Sequence, residues 1–200
     1  MPIAEGRFPD FHALDRAAWR AWLAEHHAAS DGVWLVSFKK ATSQPIVPYA
    51  HAVEEALCFG WVDSVTRTLD EDRHRLLYTP RRPGSGWAAT NKERVGRLEA
   101  AGLLAPAGVA IIEAARRDGS WSALDAVEAL EVPTDLRAAL DARFAAAHHF
   151  DAFPKSARRG ILEWIQNAKR PQTRAERIEE TARLAAENVR ANQFRRADRL

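Results

Sequence analysis

Arg81 and Arg82 stand directly before a glycine turn and a tryptophan, in Tyr78-Thr79-Pro80-Arg81-Arg82-Pro83-Gly84-Ser85-Gly86-Trp87, and the chain then runs into Asn91-Lys92-Glu93-Arg94-Val95. Guanidinium groups, an aromatic wall and the free N–H groups at a helix start are together what a phosphate or carboxylate requires. Burial of apolar surface does not demand that combination. The same residues also fit a solvated arginine pair before a glycine turn, with Trp87 docking the following helix. Upstream, Trp61-Val62-Asp63 adds a second aromatic wall and a carboxylate able to act as general base or as a hydrogen-bond acceptor. A carboxylate paired with Arg67 or another arginine is the structural alternative for Asp63.

Other reactive types have simpler explanations. Cys58 follows His51 on the same helix face, about 10 Å away along the axis, too far for a base to activate the thiol; it reads as a core thiol. The pairs His26-His27 and His148-His149 lack metal-ligand spacing, so no metal is expected, and no cofactor motif is present. No second carboxylate stands at a spacing diagnostic of hydrolysis. Late in the chain, Lys169-Arg170-Pro171-Gln172-Thr173-Arg174 and Arg177 join two helices. Lys169 and Arg170 suit helix C-terminal carbonyls, while Arg174 and Arg177 share a face that can meet either a ligand or the protein itself.

The elements that must position these groups follow from periodicity. Leu14, Ala18, Trp22 and Leu23 mark a helix that Asp15 can cap. Val33–Phe38 reads as a buried strand with Lys39 and Lys40 at its exit, and Val53, Ala56, Leu57 and Gly60 as a helix closed by glycine. Residues 61–69 and 74–82 flank Asp70-Glu71-Asp72 as an antiparallel hairpin, with Trp61, Asp63, Val65 and Arg67 on one side of its first strand. From Trp87 onward the pattern is helical. Thr90-x-x-Glu93 and Thr173-x-x-Glu176 match capping boxes, Gly102 and Gly119 close helices, and Pro106 and Pro133-Thr134 open them. Leu136, Leu140 and Phe144 form one apolar face, Ile161, Trp164, Ile165 and Ala168 another, and Ile178, Ala182, Ala185 and Val189 a third. The expected fold is α+β: a small antiparallel sheet of about three strands covered by helices in residues 1–104, then an all-helical part in residues 105–200.

Composition limits the function classes. The 200 residues carry 29 basic and 27 acidic groups, a net charge of +2, so no global field recruits nucleic acid. Only five of the basic residues are lysine, a bias that points to a GC-rich genome. The single cysteine precludes an internal disulfide. The first 15 residues contain no apolar leader core and no run approaches a membrane span, so a cytoplasmic protein is expected.

The phrases Glu54 to Asp63, Thr79 to Trp87, Asn91 to Gly102 and Trp164 to Ile178, in that order, resemble the bacterial YdeI/OmpD-associated, or bacteriocin-protection, family. The resemblance implies a link to bacteriocin or antimicrobial-peptide resistance, a form of stress response, and brings no catalytic residues. The expected function is binding of a small anionic or amphipathic ligand in a cleft between the two parts. Arg81, Arg82, Asn91, Lys92 and Arg174 would supply charge and hydrogen bonds, with Trp61 and Trp87 as walls and Asp63 beside them. Two other classes remain: an enzyme with Asp63 as base and arginines holding an anionic substrate, and a protein-interaction module using the C-terminal helices and the basic tail of Arg190, Arg195, Arg196 and Arg199.

Overall fold

The structure is a computed structural model that describes residues 6–39, 42 and 44–192; Lys40 and the tail arginines Arg195, Arg196 and Arg199 lie outside the described residues. Asp15 caps α1 (Arg16–His26), its carboxylate accepting a hydrogen bond from the Ala18 amide at 2.7 Å. The helix buries Trp19 and Leu23, whereas Leu14, expected on that face, precedes the helix and is exposed. The apolar run Val33–Phe38 is strand β2, followed by helix α2 (Tyr49–Cys58). Gly60 just beyond α2 has φ +74, a left-handed conformation in which a Cβ would also meet Ile111 at 2.8 Å.

Strands β3 (Trp61–Thr68) and β4 (Arg73–Pro80) form the expected hairpin, and Asp70 closes its turn by accepting from the amides of Asp72 and Arg73. The sheet has four strands in the order β1-β2-β4-β3 and is mixed, because a short strand β1 (Asp10–His12) pairs parallel to β2. The expected three-stranded antiparallel sheet missed β1, whose three residues show too little alternation to register.

A bulge between Asp63 and Thr66 resets the alternation of β3. Trp61, Asp63 and Thr66 therefore face the same way as Tyr78 and Leu76, and Arg67 faces the other way with Arg75 and Trp34. The expected grouping of Arg67 with Trp61 and Asp63 is corrected by that one extra residue. One sheet face, with Val33, Leu35, Trp61 and Tyr78, joins the core under α1 and α2. On the other face the guanidinium groups of Arg67 and Arg75 lie 5.4 Å and 4.8 Å from the ring centre of Trp34.

The two covering helices are tied by a buried carboxylate. Glu55 of α2 receives hydrogen bonds from Arg16 at 2.5 Å and Arg20 at 2.6 Å, and Arg20 also donates to the Leu103 carbonyl. Glu55 is buried while both arginines are partly exposed, so solvent screens the cluster and it contributes less than a fully buried ion pair would.

Helices α3 (Ala89–Ala100) and α4 (Pro106–Asp118) complete the first of two compact units, residues 1–123. The sequence reading put α4 on the helical side of a boundary near residue 104. Thr90 lies inside α3, which begins without a side-chain cap after the buried Trp87, so the expected capping box is not formed.

The described residues of the second unit, 124–200, form helices: α5 (Asp125–Glu128), α6 (Thr134–Asp141), α7 (Ala146–Ala152), α8 (Lys155–Gln166) and α9 (Pro171–Ala186). Leu136, Leu140, Phe150, Ile161, Ile165, Ala182 and Ala185 form its core. Phe144 and Val189, expected on apolar faces, are exposed because α6 ends at Asp141 and α9 at Ala186. Pro171 occupies the first turn of α9, its fixed φ starting the helix ahead of Thr173, which therefore does not cap it. Among the described residues no helix is long and apolar enough to cross a membrane.

In the first unit, α4 crosses the end of α2 backbone to backbone. A Cβ on Gly108 would lie 2.2 Å from the Cys58 carbonyl oxygen and 3.0 Å from that of Leu57. Neither atom can yield without breaking the α2 terminus, where the Ala105 amide also donates to the Cys58 carbonyl. Gly108→Ala should destabilise the protein by about 3 kcal/mol through this overpacking, read as a lower urea midpoint, whereas Gly96→Ala, in open space on α3, should not.

Candidate functional site

The segment after β4 folds around one arginine. The Arg81 amide donates to the Gly60 carbonyl at 2.9 Å, and its side chain turns inward until only 7% of the residue is exposed. Its guanidinium lies 3.8 Å from the centre of the Trp87 ring and donates to the carbonyls of Ser85, at 3.5 Å, and Gly86. The turn between them passes through Gly84 at φ +71. The Ser85 hydroxyl closes it by donating to the Arg82 carbonyl at 2.7 Å. Among the described residues Arg81 has no carboxylate partner, and its Nε is buried without a hydrogen-bond partner. Burial pushes the group down to about 10, so it remains a cation at neutral pH.

The two adjacent arginines thus have opposite situations. Arg81 is spent on its own turn, and the cavity of about 40 Å³ beside it and Trp87 has room for little more than water. Arg82 is exposed and, with Ser85, lines a groove of about 630 Å³ at one end of the sheet face that carries Leu77 and Thr79. Val62 and Val65 of β3 and Leu77 and Thr79 of β4 also line the groove, as do Arg7, Phe8 and Asp31 from the segments before β1 and β2. The Arg7 guanidinium stacks on Phe8, 4.9 Å from its ring centre. Gly32 leaves space there: a Cβ would meet the Phe8 ring at 2.9 Å and the Thr79 methyl at 3.0 Å. Two cations against one carboxylate around an apolar floor suit an amphipathic molecule with an anionic head.

The remaining candidates fall elsewhere. Trp61 is buried in the core, its indole N–H donating to the His27 carbonyl at 3.3 Å. Asp63 accepts from the Tyr49 hydroxyl at 2.9 Å rather than from Arg67, and lines neither of these cavities. The Asn91 side-chain carbonyl accepts from Arg94 at 2.9 Å, and the Lys92 ammonium is 5.7 Å from the centre of the Trp121 ring, which itself packs on Trp87. Arg174 belongs to the second unit and makes a two-pronged pair with Asp135 at 2.8 Å and 3.0 Å; its neighbour Arg177 stacks on Trp164 and donates to that residue's carbonyl. Cys58 is wholly buried, and desolvation pushes its thiol up, against the pull of Arg20.

Sequence reasoning did not single out Arg7, Phe8, Asp31, Val62 or Thr79. They come from four separate segments, and only the strand pairing brings them together. The one local signal is the turn dipeptide Asp31-Gly32 directly before β2.

Comparison with known proteins divides the chain in a similar way. Residues 11–111, half of the chain, match a family model described as a domain of unknown function, DUF8412, which spans the first three of the four phrases. Residues 129–188, containing the fourth, match the model described as bacteriocin-protection, YdeI or OmpD-associated. No curated protein and no solved structure matches the chain. The chain belongs to the DUF8412 family over its sheet-bearing half and carries the YdeI/OmpD-associated, bacteriocin-protection domain in its helical half.

Proposed function

We infer that this protein binds a small amphipathic anion in the groove on the Leu77 face of the sheet. Arg82 and Arg7 take the anionic head, while Phe8, Val62, Val65 and Leu77 hold the apolar part. The observation that carries this reading is the orientation of Arg82, an exposed guanidinium without an ion pair among the described residues, lining a cavity of ligand size. Its neighbour Arg81 makes it available by holding the turn from inside. Such a binder, working in the cytoplasm, would serve antimicrobial resistance by taking up an amphipathic molecule, in keeping with the description of the family matched by the helical half.

Octyl phosphate is a suitable probe, with octyl glucoside as the uncharged control. Arg82→Ala should leave the melting temperature nearly unchanged and weaken octyl phosphate binding about 10- to 100-fold by calorimetry, the usual worth of a charged hydrogen bond. Equal binding by the variant, or equal binding of octyl glucoside, would count against the reading. Arg81→Ala should do the reverse in denaturation, costing about 2 kcal/mol by removing charged hydrogen bonds and the stack on Trp87. Any loss of affinity there should follow the loss of the folded turn.

A further inference from the structure

The opposite face of the sheet holds a second cavity, of about 140 Å³, lined among others by Leu35, Val47, Tyr49, His74, Leu76 and Tyr78. A cavity of about 150 Å³ with apolar walls accommodates benzene. Tyr78 is wholly buried, yet its hydroxyl has no hydrogen-bond partner among the described residues. The nearest polar pair is already satisfied, since the Tyr49 hydroxyl donates to Asp63. Burial, reinforced by the charge of Asp63, keeps the Tyr78 hydroxyl protonated, so it stands as a donor. Buried polar groups in native proteins almost always find partners. The lining is mostly aliphatic and aromatic; its other polar side chains are Ser37, His74 and Tyr49, and the Tyr49 hydroxyl is committed to Asp63.

We propose that this cavity is a binding site for a small neutral molecule, about the size of a six-membered ring, whose single carbonyl or ether oxygen accepts a hydrogen bond from Tyr78. An anion is disfavoured because no arginine or lysine lines the cavity and the negative charge of Asp63 acts on the hydroxyl. The site is separate from the groove, on the other side of the sheet, and does not depend on what the groove binds.

Cyclohexanone and methylenecyclohexane have nearly the same shape and differ by the carbonyl oxygen, so amide NMR titration of the intact protein with each provides the test. Cyclohexanone should perturb the amides of Leu35, Val47, Ala52 and Leu76 and bind about five- to tenfold more tightly than methylenecyclohexane. Tyr78→Phe should erase that difference, with a thermal midpoint equal to or above that of the parent, because an unpartnered hydroxyl is removed. Equal affinity for the two probes, no perturbation by cyclohexanone, or a markedly lower midpoint for Tyr78→Phe would overturn the proposal. The last result would mean that the hydroxyl is already satisfied in the free protein.

Discussion

A buried guanidinium with no carboxylate partner among the described residues sets the geometry of the region on which function depends. Arg81 is held by two backbone carbonyls and the face of Trp87 rather than by a carboxylate. Desolvating a cation is costly unless its hydrogen bonds and nearby dipoles compensate, so the turn carrying those carbonyls has little freedom to rearrange. Trp87 is fixed by the same contact, and with it the entry to α3. Arg81 turns inward, and its neighbour Arg82 is exposed. One side chain thereby supports the turn and the next becomes available to a ligand.

The bulge in β3 has a comparable effect on the sheet. Without it, Asp63 and Arg67 would share a face and could neutralise each other. With it, Asp63 goes to the helix-covered side, where Tyr49 holds it, and Arg67 goes to the face where Trp34 lies. Each side of the sheet consequently has its own chemistry: arginines over aromatic and aliphatic side chains on one, tyrosines and a carboxylate around an apolar cavity on the other.

Much of the fold was legible because local signals coincide with tertiary need. Asp15 caps its helix, Gly60, Gly102 and Gly119 adopt positive φ after theirs, Pro106 opens α4, and the acidic turn at Asp70 closes the hairpin. The features that escaped are those decided by packing. Strand β1 exists because β2 offers it an edge, the bulge depends on register, and Thr90 and Thr173 lose their capping roles to Trp87 burial and Pro171. Of the candidate site, the location of the cationic turn was readable, but the division of labour between Arg81 and Arg82 was not. Two adjacent arginines look alike until the neighbouring tryptophan shows which one it covers. The groove was illegible for another reason: its walls come from residues 7, 8, 31, 62, 64, 65, 77, 79, 80, 82 and 85, gathered only by strand order.

Mapping octyl phosphate by amide NMR tests the groove most directly, because it locates the ligand independently of any mutation. Binding there predicts saturable shifts concentrated at Phe8, Val62, Leu77, Thr79, Arg82 and Ser85, with the helical unit around Arg174 unaffected. Shifts centred on α9, or weak changes spread evenly over exposed arginines, would contradict it.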